Sequence, residues 1–541
     1  MTEAIERPFA GGLNYVAAEL ATKEGTVPDA ANVNFGLGGR VTTRGGSTRQ
    51  QVVTQSVSAT LRDLYVAEET DRAASSQLIV TGGSITRATA PATGGVPIAE
   101  VVGTYTRTNV AGAITQPRTQ GVAFVDTTAP VPSYLTVLTF GGTSLPAWVS
   151  RNPAATGTIT HTDWVAQANP TTCAAYAGRM WFAGAAGFPA RLYYTAVASP
   201  SNFTPSATPV SSDGGTIDMQ LVDGGSIVAL KHLYDMLIVF TTKGIYRLVA
   251  LTTGLIPFKA IQISTQVAVS QHSVIQADNE IYVLTEAGVY RMSTALTYGD
   301  IKSDEITTSI TSVFENADMW ELAGAFGVFD KSERKVHFFF QTNYTPVGGV
   351  PNARPNEFTL AQAQVRIDSG EKFYPPSVST CYTYNIRGQA WERHYFPFYV
   401  DFASVHNRGD GTTVVEAYTR KADNGTVGNL TVTEAEIFNR AVATDNGTPL
   451  PAYVRTRKLA LDAIGDRKAR LFLHSYVRTG TPAAAVSYDD AVFTPITPAL
   501  PTGVSRVAAI GSGRVAQIEY SGAAPWELDA VAPDIKKLGR R

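Results

Sequence analysis

A chain of 541 residues is long enough for three or four ordinary domains, or for one large repeat domain carrying extra modules. Charged residues make up 17% of it, against about 25% in typical globular chains. Thr, Ala, Gly and Val are abundant and long amphipathic helical runs are scarce, which is the profile of an all-β protein. A formal net charge of -2 with a pI near 6.4 excludes a bulk basic footprint for tight nucleic-acid binding, while leaving room for contact with passing DNA. Two cysteines, Cys173 and Cys381, are too few for a disulfide framework or a structural zinc site, and whether they pair is open. The N-terminal MTEAIERPFAGG has no apolar signal core, and no apolar run reaches the roughly 18 residues of a membrane-spanning helix, so the chain is expected to be soluble, made in a cytoplasm and not secreted through a signal peptide.

In chain order, residues 1–55 carry Gly11-Gly12-Leu13-Asn14, Asn32 and GLGGRVTTRGGS from Gly36 to Ser47. The glycines punctuate short strands, giving a compact N-terminal module or arm. Strand signals follow at Leu61 to Val66 and in LIVTGGSITR, Leu78 to Arg87. Residues 88–164 are rich in Thr, Ala, Gly and Pro, with strand candidates at Val122 to Val125 and Tyr134 to Phe140. That stretch reads as an irregular blade or as a long insertion. A clearer unit is AGRMWFAG, Ala177 to Gly184, followed by RLYYT and the polar SPSNFTPS.

The most informative feature comes next: DMLIVFTTKGIYRL, Asp235 to Leu248, recurs as NEIYVLTEAGVYRM, Asn279 to Met292. Val, Thr, Gly, Tyr and Arg are identical between the copies, and each reads as strand, short loop closed by Gly244 or Gly288, and strand. A three- to five-residue loop with one residue at positive φ explains the glycine. A repeat of about 40 to 45 residues built from antiparallel strands is the signature of propeller blades.

Ser303-Asp304-Glu305 ahead of Ile306, Ile310, Val313 and Phe314 predicts one short capped helix, its carboxylates in the first turn. LAGAFGVFD, Leu322 to Asp330, is expected to pair with KVHFFFQ, Lys335 to Gln341, with outer strands in CYTYNIRGQAWERHYF, Cys381 to Phe396. Thr342 to Lys372 is a Pro/Gly/Asn-rich insertion of a length usually reserved for functional loops. Strands at Thr413 to Tyr418 and Leu430 to Val432 close the repeat region, so residues 56–440 are expected to form an all-β propeller with insertions, and 441–541 read as strands again.

No catalytic, cofactor or metal site is legible. The seven histidines never fall at ligand spacing, GLGGR lacks a Gly-Lys-Ser/Thr ending, and no G-x-S-x-G elbow occurs. Asp423-Asn424-Gly425 and Asp445-Asn446-Gly447 read as hairpin turns and not as calcium loops. The basic segment Val454 to Leu473 carries Arg455, Arg457, Lys458, Arg467, Lys468 and Arg470 against Asp462 and Asp466. These six are the candidate contacts with an acidic partner or nucleic-acid backbone, the alternative being a solvated strand face.

The order of several segments resembles the tail nozzle, or tail tubular protein B, of short-tailed bacteriophages. They are FAGGLN, Asn32 leading to GRVTTRGGS, RMWFAG with RLYYT and SPSNFTPS, the two repeated hairpins, YNIRGQAWERHYF, and the basic segment before a C-terminal GRR. The family has Arg-Pro-Gly where this chain has Arg44-Gly45-Gly46. The resemblance implies a non-enzymatic structural virion protein without cofactors, made in the host bacterial cytoplasm. It would form a homohexameric ring under the portal and head-to-tail adaptor, through which double-stranded DNA is ejected. It implies that residues 1–55 and 441–541 form a β-rich platform joining neighbours and the adaptor ring, and that 88–164 and 342–372 supply distal or tail-fibre-contacting loops. Two other readings stay open: a β-propeller lectin or host-adhesion protein, and a propeller hydrolase or dehydrogenase.

Overall fold

The computed structural model describes residues 9–15 and 25–53, the strands alone between 61 and 158, and, with short gaps, 161–294, 301–340, 379–460 and 469–537. The chain is nearly all β. Among the described residues, six four-stranded antiparallel sheets follow one another along the sequence, each a simple meander in strand order. The first holds Leu61–Ala67, Ser76–Thr81, Ser84–Thr89 and Ile98–Thr104. The second holds Gln120–Asp126, Ser133–Thr139, Ala147–Ser150 and Thr156–Thr158. Five strands of these two sheets, from Ile98–Thr104 to Thr156–Thr158, thus fall within 88–164, and the residues between them lie outside the described ones.

The third sheet holds Thr172–Tyr176, Arg179–Ala183, Arg191–Tyr194 and Gly215–Asp218. The repeated hairpins are the middle strands of the fourth (Ile227–Leu233, Met236–Thr241, Gly244–Ala250, Phe258–Ser264) and fifth (Val274–Ala277, Glu280–Thr285, Gly288–Thr294, Ile301–Glu305). The sixth joins Phe326–Asp330, Lys335–Phe340, Ser379–Asn385 and Ala390–Phe396 as expected. The insertion Thr342 to Lys372 lies outside the described residues except for Thr345–Pro346, which pairs with Phe373–Tyr374.

The seventh sheet is built from distant parts of the chain. Val400–Asn407, Thr413–Ala422 and Leu430–Asn439 run in order, and the next strand is Gly46–Val53, antiparallel to Leu430–Asn439 with Thr48 opposite Ile437. The first strands of the sheets pack on one another in sequence, and Val400–Asn407 packs back on Leu61–Ala67, so the seven sheets form a closed cycle.

Sheets stacked between two neighbours are buried on both faces, and such strands read as continuous apolar runs, not alternating ones. MLIVFT and EIYVLT are buried at every position but the first, and KVHFFF at every position. The outermost strands, Gly215–Asp218 and Ile301–Glu305, are largely solvent-accessible. Apolar seams fill the gaps between sheets. One joins Trp181, Leu192 and Tyr194 to Leu237, Val239 and Phe258, and another joins Ile238 and Phe240 to Ile281 and Val283.

The hairpin turns are tighter than expected. Thr241 pairs directly with Gly244, and Thr285 with Gly288, leaving two-residue loops. Thr241 Oγ1 donates to the Gly244 carbonyl at 2.7 Å, and Thr285 Oγ1 to that of Gly288 at 2.8 Å. Both glycines have φ near +143° to +144°, and a Cβ on Gly288 would lie 2.1 Å from Thr307 Oγ1. The predicted helix shrinks to Thr311–Glu315. Ser303, Asp304 and Glu305 belong to an edge strand instead, with Asp304 opposite Arg291, so the carboxylates sit in cross-strand pairing and not in a helical first turn.

The two ends of the chain share two further sheets. One runs Asp29–Ala31, Ala452–Arg455, Val515–Gly522, Ala483–Tyr488 and Thr494–Ile496, and the other Val33–Phe35, Val41–Thr43, Glu527–Lys537, Ala469–Thr479 and Gly503–Ala509. Gly36 to Arg40 is the turn between two of these strands, with Gly38 and Gly39 at positive φ. No helix among the described residues is long and apolar enough to cross a membrane.

Candidate functional site

Among the described residues, buried charges and hydrogen bonds gather where the N-terminal segment, the sixth sheet and the strands after residue 440 meet. Arg44 directly follows the strand Val41–Thr43, and its side chain is 5% exposed. All five guanidinium N–H groups have acceptors. Nε donates to Asn32 Oδ1 at 3.1 Å, Nη1 to the Gly45 carbonyl at 2.9 Å and Asp445 Oδ1 at 3.1 Å, and Nη2 to the Tyr395 carbonyl at 2.9 Å and to Asp445 Oδ2. The cation also lies 4.4 Å over the Phe396 ring. Such a bidentate buried pair is geometrically selective, and its partner is fixed by the turn between Thr444–Asp445 and Thr448–Pro449.

Asn32 is the hub beside it. Its backbone takes φ +56°, a conformation Asn tolerates better than most residues. From there its N–H donates to the Arg393 carbonyl, its Nδ2 to the Pro451 carbonyl, and its Oδ1 accepts from Tyr395 N at 2.8 Å. Gly12, at φ +65°, lets the FAGGLN segment press on the same sheet: a Cβ there would meet the Trp391 carbonyl at 2.8 Å.

A second layer lies within the apolar strands KVHFFF and AWERHYF. Lys335 Nζ is 2.7 Å from Glu392 Oε2, 2.7 Å from Asn34 Oδ1 and 3.3 Å from Glu333. Glu392 Oε1 accepts from Phe35 N at 3.0 Å. Burial works against the Lys335 ammonium, yet Glu392 and Glu333 outweigh it and hold its pKa above the ordinary value. Burial raises the Glu392 carboxyl, opposed by Lys335 and the Phe35 N–H. His394 places Nε2 3.3 Å from the Val33 carbonyl, and burial with the cations Lys335 and Arg44 holds it well below its ordinary pKa. His337 Nδ1 is 2.8 Å from Thr383 Oγ1, and burial lowers its pKa to about 4. Cys381 is a free buried thiol pushed up to about 12 by burial, so it is unreactive and forms no bridge with Cys173.

The six basic residues expected to meet a partner are not one exposed stripe. Arg455 is paired with Asp29 at 2.8 Å and Glu519 at 2.8 Å, and Asp29 also holds Arg393. Lys458 is paired with Asp490, and Arg457 is half-buried. Arg470 lies on Ala469–Thr479, and Arg467 and Lys468 fall outside the described residues. These three pairs are ties within the sheets that the two chain ends share. Sequence reasoning missed the junction, although its signal was present: Lys335 and Glu392 are charges inside otherwise apolar strands. No cluster of His, Cys, Asp and Glu among the described residues could hold a metal ion.

No protein-family model matches this chain, and no curated protein matches it. Solved structures similar to it include an exo-beta-1,3-galactanase from Phanerochaete chrysosporium, at 9% identity over 92% of this chain and 100% of that one, TM-score 0.27. A second is the extracellular domain of a one-component system from B. thetaiotaomicron, at 9% identity over 95% of this chain and 63% of that one, TM-score 0.37. A third is described as a glycoside hydrolase, at 9% identity over 89% and 99%, TM-score 0.27. The expectation that the chain is not an enzyme is not upheld, glycoside hydrolases being prominent among the similar structures. At such identities and TM-scores no particular activity transfers to this chain.

Proposed function

We propose that the seven sheets form a β-propeller clamped by a platform of the two chain ends, and that the protein is a ring-forming subunit of a short phage tail nozzle, attached below the portal and adaptor. The observation that carries the reading is a convergence. FAGGLN, Asn32, VTTRGGS and WERHYF are scattered over nearly 400 residues of sequence, yet they meet in one buried junction through Gly12 on Trp391, Asn32 on Tyr395 and Arg44 on Tyr395 and Asp445. Segments that resemble one family in a fixed order are thus the ones that fasten platform to sheets. A conduit also suits the low net charge, since a strongly basic wall would retain an exiting polyanion by counterion release. Quantitative mass spectrometry of purified particles, normalised to the portal, tests this. About six copies per particle support a closed cyclic ring, and absence from particles overturns the reading.

A second reading is a glycan-binding propeller. Phe188 is 37% exposed and lies beside Arg191, whose guanidinium is 4.2 Å over its ring and is flanked by Asp163 and Asp218. An aromatic ring beside carboxylates is sugar-binding chemistry. Glycan-array binding lost in Phe188→Ala, or hydrolysis of a β-1,3-linked galacto-oligosaccharide, would favour it over the nozzle.

A further inference from the structure

Three side chains of the sixth sheet hold three consecutive residues of the N-terminal strand Val33–Phe35. His394 Nε2 meets the Val33 carbonyl at 3.3 Å, Lys335 Nζ donates to Asn34 Oδ1 at 2.7 Å, and Glu392 Oε1 accepts from Phe35 N at 3.0 Å. Thr383 Oγ1, with one hydrogen to give, lies 2.8 Å from His337 Nδ1 and 3.4 Å from His394 Nδ1. His337 Nε2 is buried with no hydrogen-bond partner among the described residues. An N–H there would be a buried donor left unpaired, so the His337 proton sits on Nδ1. His337 Nδ1–H then donates to Thr383, Thr383 to His394 Nδ1, and His394 Nε2–H to the Val33 carbonyl.

We propose that His394 is an acid-sensitive latch, which fastens Val33–Phe35 to the sixth sheet while its imidazole is neutral and lets that strand part from the sheet in acid, before the sheets themselves unfold. The closed junction has no place for a second proton on the ring. Its Nδ1 is filled by the Thr383 hydroxyl hydrogen, and every element packed around it either adds positive charge or is neutral. Lys335 lies on one neighbouring strand with His337, Arg44 comes from the N-terminal segment already paired with Asp445, and Cys381 on the other neighbouring strand is a neutral thiol. On its own strand, Glu392 Oε2 is 3.6 Å from His394 Nε2, but it is engaged by Lys335, which Glu333 also meets. Burial, then Lys335 and Arg44, hold His394 well below its ordinary pKa. Parting of the strand returns the ring to water and to a pKa of about 6.5. The latch is therefore complete above about pH 6.5, and each unit below that favours the open form about tenfold. Glu392 works in the opposite sense, since burial raises its carboxyl and acid then favours the closed form, while Lys335, held above its ordinary pKa, stays charged throughout.

Hydrogen exchange of the full chain at pH 7.5 and 5, corrected for the intrinsic rate at each pH, reads the latch at the amides of Asn32, Phe35 and Tyr395, which all bond across the junction. Between the two pH values their protection is expected to fall about thirtyfold more in the native protein than in His394→Gln, whose side chain can still donate to Val33 but takes up no proton. His337→Gln is expected to keep the native loss. Low urea should leave the junction rates unchanged, the mark of a local opening, while it speeds exchange in the core strands Met236–Thr241 and Glu280–Thr285. The same loss in native protein and His394→Gln, or junction rates as sensitive to urea as those of the core strands, overturns the latch. Should His394→Gln fail to fold, the native chain decides alone, because junction amides that keep their protection at pH 5, or lose it only through the urea-sensitive route, overturn the proposal equally.

Discussion

Arg44 and Asp445 decide how the two ends of the chain are held. Both are buried, so removing one partner leaves an uncompensated charge in the interior, at a cost of about 3 to 5 kcal/mol. Arg44→Ala or Asp445→Ala should lower the denaturation midpoint accordingly. Arg44→Met with Asp445→Leu should recover much of the loss, because apolar replacement of the whole pair is often near neutral. Equal losses in single and double variants would show that the pair's attraction, and not the orphaned charge, is what matters.

His337 gives a pH signature. Its folded pKa of about 4 lies below the ordinary 6.5, so between those values the unfolded chain binds the extra proton. Its contribution is complete above about pH 6.5 and is lost as pH falls toward 4, on the order of 2 kcal/mol by pH 5. His394 acts in the same direction. Urea titrations at pH 7.5 and 5 should show the drop in the native protein and a smaller one in His337→Gln. Equal stability at the two pH values would contradict the buried neutral imidazole.

Among elements, the repeated hairpins carry the clearest local requirement. Gly288→Ala must hold an unfavourable φ and bring a methyl to 2.1 Å from Thr307 Oγ1, while Gly244→Ala brings one to 2.6 Å from the Ser264 carbonyl. Each should cost at least about 1 to 3 kcal/mol, read as a lower thermal midpoint, and two silent substitutions would refute the turn geometry. These hairpins were legible in sequence because each pairs with residues only a few positions away, so apolar runs and a glycine suffice to define them. The segment from Ser303 to Phe314 misled for the opposite reason. Ile306, Ile310, Val313 and Phe314 have helical spacing, but Asp304 is drawn into pairing with Arg291, and tertiary pairing overrides the local pattern. Lys335 and Glu392 were visible as charges in apolar strands, yet nothing local shows that they face each other, because that follows from the register of Ser379–Asn385 between them.

At the scale of the molecule, the ends are what close it. Gly46–Val53 completes the seventh sheet beside Leu430–Asn439, and residues 29–43 supply three strands to the two platform sheets. Sequence patterning marks these as short strands but cannot show partners nearly 400 residues away, and so the platform was legible only as an expectation drawn from resemblance. Deleting residues 1–53 removes those strands together with Asn32 and Arg44. It should abolish a single cooperative unfolding transition, and retention of the full transition would mean that the cycle of sheets closes without its N-terminal strand. The most direct measurement is cryo-electron microscopy of the assembled tail. A ring of about six copies, each a closed cycle of sheets with its two-ended platform turned toward the adaptor, is the expected result. A tail of intact particles with no such density, or with the chain at the capsid surface instead, would contradict it.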